Sequence, residues 1–286
     1  MNSCTTAAIC SVFLATSIPA ISFAILLIGI IMVGKLLARG MLAGIVAGLL
    51  TFGFAKIAGE PSVDQAISFE EKTAEAREAQ TGMHEHEPEL VSREIQSGLG
   101  LFTGVAVYSA AIGGLFALVF AYAYGRVGKF SARALSAWLA LGAFIALVIV
   151  PNLKYPANPP SVGAPETIGV RTGLFFLMIA ISIAALVFSL KARRHAAARF
   201  GAWNGSIVAA GIFIVIIAAV QAALPAINEV PAAFPAVVLW KFRVAAIGMQ
   251  VIMWSTIGLL FGALVERLET RLDARRYLHH NQEARS

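Results

Sequence analysis

The sequence predicts an all-α integral membrane protein: a bundle of six core transmembrane helices, with room for one extra N-terminal hydrophobic segment ahead of it. Three observations lead there. Of the 286 residues, 58% are hydrophobic and only 13% charged, against roughly 25% charged in a soluble domain. The apolar residues gather into runs of roughly 20, the length a helix needs to cross a hydrocarbon layer of about 30 Å. The connectors between the runs alternate in character, cationic and then carboxylate-bearing.

The runs fall at about 11–33, 36–58, 98–124, 132–151, 172–190, 205–224 and 244–264. Only Gly34 and Lys35 separate the first two, too few residues for a clear hairpin. Residues 1–31 therefore read as an extra span, a signal sequence, or sequence upstream of the true start, and Met32-Val-Gly-Lys-Leu-Leu favours a start at Met32. The transport-type membrane domain is then 32–264, followed by a basic tail at 265–286. On the first core span Gly40, Gly44 and Gly48 make a double GxxxG face, and Gly100 and Gly104 repeat the spacing on the second. Small residues so spaced let helices approach closely where lipid supplies no hydrophobic drive between them. Helix packing is their expected role.

Charge sets the orientation. Lys35 and Arg39 precede the first core span. Arg126, Lys129 and Arg133 lie in 125–133, and Lys191, Arg193, Arg194 and Arg199 in 191–204. The tail carries Arg267, Arg271, Arg275, Arg276 and Arg285. Positive connectors stay in the cytoplasm, which puts the core N- and C-termini inside and agrees with six spans. The net charge of +6 is thus a topology signal. A nucleic-acid binder would cluster its cations on one face with aromatics between them, so no nucleic-acid partner is expected. Cys4 and Cys10 form neither a CxxC pair nor a disulfide framework.

The opposite side holds the loops 59–97, 152–171 and 225–243. The first carries ten carboxylates between Glu60 and Glu94 against Lys72, Arg77 and Arg93, a field that draws cations in. Within it, 61–80 reads as an amphipathic helix opened by a Ser62/Gln65 capping box, with Val63, Ala66, Ile67 and Ala74 on one face. Met83-His84-Glu85-His86-Glu87 follows. Imidazole nitrogen and carboxylate oxygen together suit Co, Ni and Zn, so His84, Glu85, His86 and Glu87 are candidate metal ligands. The competing reading is a solvated acidic linker.

The second loop carries prolines at 151, 156, 159, 160 and 165, which forbid a regular helix. Lys154, Tyr155, Asn158, Glu166 and Arg171 are its polar groups next to the membrane. Irregular backbone at that depth must be satisfied by protein or by a water cavity, so the loop either stays outside or folds back to line a pathway. The third loop is apolar apart from Asn228, Glu229, Lys241 and Arg243. A lone carboxylate in such company is a functional candidate by default, and Glu229 could equally serve as structural glue with Arg171 or Arg243. Prolines at 151, 156 and 159 recur at 225, 231 and 235, each set followed by an arginine, Arg171 or Arg243. That fits two span–loop–span units around one site, or a chance likeness of two proline-rich loops.

Enzyme motifs are missing. Gly29 to Lys35 matches G-x-x-x-x-G-K, but Leu36 replaces the Ser/Thr that would bind magnesium, and no strand precedes it. No GxSxG, HExxH or dinucleotide-binding fingerprint occurs. Neither an enzyme nor a resident cofactor is expected.

Gly40-Met-Leu-Ala-Gly44, Gly59-Glu-Pro61, Ser92-Arg-Glu, Tyr124-Gly-Arg126, Lys154-Tyr-Pro-Ala-Asn-Pro-Pro160, Glu166-Thr-Ile-Gly169, Arg171-Thr172, Asn228-Glu-Val-Pro231 and Phe234-Pro235 together resemble the CbtA family, from about Met32 to residue 264. The resemblance implies the large membrane subunit of a cobalt-uptake permease in the bacterial inner membrane, supplying cobalt for cobalamin synthesis. It also implies a small single-span partner with a histidine-rich end, CbtB-like. With transported Co²⁺ as the cargo, His84 and His86 would gather the ion. Asn158, Glu166, Asn228 and Glu229 would form the selective entrance, and Lys154, Arg171 and Arg243 would hold the loops. The alternative is a non-transporting assembly or regulatory protein that binds a partner through its GxxxG faces.

Overall fold

In the computed structural model the described residues are 32–81, 91–160, 162–163 and 165–283. They are all helix and connection, with no strand among them. Five helices are long and apolar enough to cross a membrane. We label them α1 (Met32–Gln80), α2 (Arg93–Ala123), α3 (Ala132–Lys154), α4 (Pro165–Ala223) and α5 (Ala236–Glu283).

The predicted apolar runs between 36 and 264 lie on these helices, while the run 11–33 falls almost wholly outside the described residues. The helices extend past several predicted bounds, and two differences change the architecture. The break at Gly59-Glu60-Pro61 does not occur. At 49 residues, α1 is about 70 Å long, more than twice the hydrocarbon thickness, so the helix predicted at 61–80 is its own extension. The expected apolar face is not continuous, with Ala66 buried but Ala74 exposed. Ser62 is buried inside α1 and caps nothing. Proline is tolerated there because a π-helical turn, Ala55–Gly59, immediately precedes it. A proline ring collides with the carbonyl four residues back, and a π turn re-routes the hydrogen bonds at that point. The same arrangement recurs in α3, where the π turn Phe144–Ile149 precedes Pro151, which is buried within the helix. A third π turn, Gln96–Gly100, opens α2.

The second difference concerns α4, whose 59 residues contain two of the predicted runs. It is bent back on itself at Gly201, which has φ 82° and ψ 162°, a left-handed backbone that side chains disfavour. Arg193 Nε donates to Ser206 Oγ at 2.9 Å across the bend, a contact that 13 residues of straight helix would make impossible. Met178 and Ala185 of the outgoing arm pack with Ile217 and Phe213 of the return arm.

The main core joins four helices. Ala43 and Ala47 (α1), Phe116, Ala117 and Phe120 (α2), Leu135 and Ala140 (α3), and Met253, Trp254, Ile257 and Phe261 (α5) form one buried cluster. Glycine brings the first pair together: a Cβ on Gly40 would run into the Gly113 carbonyl, and one on Gly44 into the Ser109 carbonyl. The double GxxxG face of α1 is therefore used inside the chain, against α2. Ser136 Oγ donates to the Gly258 carbonyl at 2.6 Å between α3 and α5.

The bundle has two unlike ends. At the Gly201 end, Tyr124 OH donates to Glu269 Oε1 at 2.5 Å and Arg133 pairs with Glu266, tying α2, α3 and α5. At the other end lie the three π turns, the extension of α1 and both proline-rich connections. There Ala66, Val162 and Phe234 form a small core of their own, with Phe69 and Phe234 edge to face at 5.1 Å.

Candidate functional site

The predicted polar residues of the two proline-rich loops converge at this second end. Pro151 and Lys154 lie on the last turns of α3, and the chain becomes irregular from Tyr155 on. Tyr155 is 2% exposed, and its hydroxyl donates to the Pro225 carbonyl at 2.9 Å. Lys154 Nζ donates to the Gln221 carbonyl at 2.8 Å. Gln221 Nε2 in turn reaches the Val150 carbonyl at 3.1 Å. Three side-chain bonds thus tie the end of α3 to the end of α4, satisfying carbonyls that lipid would leave unpaired.

Two arginines then grip the irregular stretch. Arg171, on α4, donates through Nη2 to the Pro156 carbonyl. Arg243, on α5, donates from Nε to the Ala157 carbonyl at 3.2 Å and from Nη2 to Asn158 Oδ1 at 3.0 Å. Both arginines that follow the two proline sets thus hold residues 156–158 of the second loop.

Glu229 joins the third loop to α4. Its side chain is 1% exposed and lies 3.2 Å from Arg171 Nη1 through Oε2, while Oε1 accepts from Thr167 Oγ1 at 2.6 Å. Of the two arginines weighed as its partner, the structure selects Arg171. Both carboxylate oxygens are engaged. Asn228 is exposed, with its side-chain oxygen accepting from the Val230 N–H at 3.4 Å. Glu166 is exposed on the first turn of α4. Beside these groups lies a cleft of about 320 Å³, whose polar lining is Asn152, Asn158, Arg171, Thr172 and Gln250.

His84, Glu85, His86 and Glu87 lie outside the described residues. Among the described residues no three His, Cys, Asp or Glu side chains come together as a metal-holding group. Some carboxylates of the first acidic segment are already matched. Arg93 Nη2 lies 2.6 Å from Glu60 and 2.9 Å from Asp64, bringing Ser92-Arg-Glu against Gly59-Glu-Pro61 across the ends of α1 and α2.

Sequence reasoning passed over Gln221, Gln250 and the Glu60–Arg93 pair. The first two carry a legible signal, since an amide inside an apolar run must find a partner. Gln250 finds the Tyr108 side chain and the cleft.

A model of the family described as "Probable cobalt transporter subunit (CbtA)" matches residues 33–266. No curated protein and no solved structure matches the chain.

Proposed function

The chain belongs to the CbtA family of probable cobalt transporter subunits, and from that premise we propose that it is the large membrane subunit of a cobalt-uptake permease in a bacterial inner membrane, supplying cobalt for cobalamin synthesis. Membership over residues 33–266 is the observation that carries this reading. A transporter subunit of this kind is not an enzyme.

In this reading the hairpin of α4 crosses the bilayer twice, which makes six spans. The cationic Gly201 end faces the cytoplasm, following the bias of Lys and Arg toward that side. The end with the α1 extension and the proline-rich loops faces outward. The potential then favours entry of a divalent cation by about 4.6 kcal/mol per 100 mV, twice the single-charge value. His84, Glu85, His86 and Glu87 gather Co²⁺ beyond the end of α1, with Asn158, Glu166 and Asn228 at the entrance. Glu229 acts as a ligand only after the ion takes the place of Arg171, since that pair occupies its carboxylate. A small single-span, histidine-rich CbtB-like subunit supplies further ligands.

The alternative, a non-transporting assembly factor, relied on the GxxxG faces as partner surfaces. For Gly40, Gly44 and Gly48 that surface is filled by α2, which favours the transport reading. Radioactive cobalt uptake in a transporter-deficient strain, with and without the partner subunit, tests the proposal. Uptake that rises with expression supports it, and uptake at the empty-vector level with both subunits in the membrane refutes it.

A further inference from the structure

The cleft beside the Arg171–Glu229 pair is charged the wrong way for a bare cation. Arg171 is matched by Glu229 at 3.2 Å. Arg243, whose charge interacts with that of Arg171, meets only neutral acceptors, the Ala157 carbonyl and Asn158 Oδ1. Among the described residues the ion pairs include no carboxylate partner for Arg243. Two guanidiniums and one carboxylate leave the site one positive charge in excess, and a guanidinium drawn away from water without a counter-charge is costly.

The lining has the matching polarity. Arg243 takes the side-chain oxygen of Asn158, so the group Asn158 has left to offer is its NH₂, a donor. Asn152 is engaged on both sides, donating to the Val148 carbonyl at 2.8 Å and accepting from the Ala157 N–H at 3.3 Å. What remains toward the cleft is the part of the Arg171 guanidinium not taken by Glu229 and Pro156, the Asn158 NH₂, the Thr172 hydroxyl and the part of the Gln250 amide not taken by Tyr108. Such a set recognises an oxyanion, for which arginine's planar fork is suited. The depth agrees, because Arg243 immediately precedes the apolar run 244–264, the level at which a helix leaves the hydrocarbon layer for the headgroups.

We propose that this cleft binds a phosphate-type oxyanion, either the headgroup phosphate of an anionic phospholipid or phosphate free in solution. Arg171, Asn158 and Thr172 would hold it directly. Arg243 is a positioning residue that supplies charge and turns the Asn158 amide. The proposal gives Asn158 to an oxyanion in place of the cation-entrance role above, and it is tested without cobalt.

The experiment is thermal unfolding of the purified full-length chain in an uncharged detergent, titrated with phosphatidylglycerol in mixed micelles and, separately, with sodium phosphate against sodium chloride at equal ionic strength. Saturable stabilisation is expected from one of the two phosphate sources and none from chloride. Stabilisation by phosphatidylglycerol alone identifies a lipid site, and stabilisation by inorganic phosphate identifies a solution anion. Asn158→Asp keeps the acceptor for Arg243 while cancelling the excess charge and removing the donor. It should weaken the response about tenfold or more, the weight of one hydrogen bond to a charged group. Thr172→Val, at an exposed helix position, should weaken it several-fold without touching the loop. The proposal is overturned if chloride stabilises equally, if neither phosphate source does, or if both variants respond at the wild-type midpoint.

Discussion

Arg171 Nη1 lies 3.2 Å from Glu229 Oε2, and the carboxylate side chain is 1% exposed whereas the guanidinium keeps 22%. The pair joins the third loop to α4, and through the second hand of Arg171 it also holds the Pro156 carbonyl. It is the point at which both proline-rich segments meet.

Glu229→Gln should therefore destabilise the protein by on the order of 3 kcal/mol, because it leaves a partly buried guanidinium without its counter-charge. Thermal unfolding in detergent reads this directly. Under the transport reading the same variant also loses cobalt uptake. A variant that unfolds at the wild-type temperature would show that the pair does not hold the loops.

A second prediction separates used from open small-residue positions. A Cβ at Gly44 meets the backbone of Ser109 and Ala110, whereas one at Gly104 meets nothing within 4 Å. Gly44→Val should cost about 3 kcal/mol or more, at or beyond the upper end for overpacking because the obstacle is backbone. Gly104→Val should leave the fold unchanged. Size-exclusion profiles and melting temperatures of the two variants make the comparison.

Orientation gives a third. With Cys4 and Cys10 replaced, single cysteines at His84 and Arg194 should react with membrane-impermeant thiol reagents from opposite sides of the inner membrane. Labelling of both from one side would remove the outward assignment of the acidic segment and with it the proposed direction of cation entry.

The fourth concerns pH. The hydrogen bond to Glu269, with burial and the carboxylate's charge adding to it, pushes the Tyr124 phenol up from 10.0 to about 12. The folded chain thus holds this proton more tightly than the unfolded one. The stability it contributes is complete below pH 10 and is lost as pH rises through about 12. A phenolate absorbance titration should show a step near pH 12 that Tyr124→Phe lacks, with the amplitude near pH 10 the same in both. Glu269→Gln, which removes the carboxylate, should bring Tyr124 back toward 10.

Much of this was readable from the sequence because hydrocarbon thickness and helix rise leave few choices: apolar runs of about 20 residues had to be helices. The role of Gly40 and Gly44 followed from their spacing, and the naming of Arg171 or Arg243 as partner for Glu229 followed from the scarcity of charge near the membrane. The bounds failed where a helix was taken to begin at Pro61 and another to end at Pro151. Pro61 and Pro151 continue their helices because the preceding turn is π, and π turns have no composition signal. Which loop Arg243 holds was not legible: with α5 starting at Ala236, the residue meets the second loop at Ala157 and Asn158. His84 and its neighbours lie outside the described residues and stay where the sequence left them.

The three π turns have a joint mechanical meaning. Ala55–Gly59, Gln96–Gly100 and Phe144–Ile149 sit on three different helices at one and the same end of the bundle, while Arg133–Glu266 and Tyr124–Glu269 clamp the opposite end. Compliance is thereby concentrated in a single storey. Under the transport reading, the displacement expected is a tilt of the helix ends at the π turns about the clamped base.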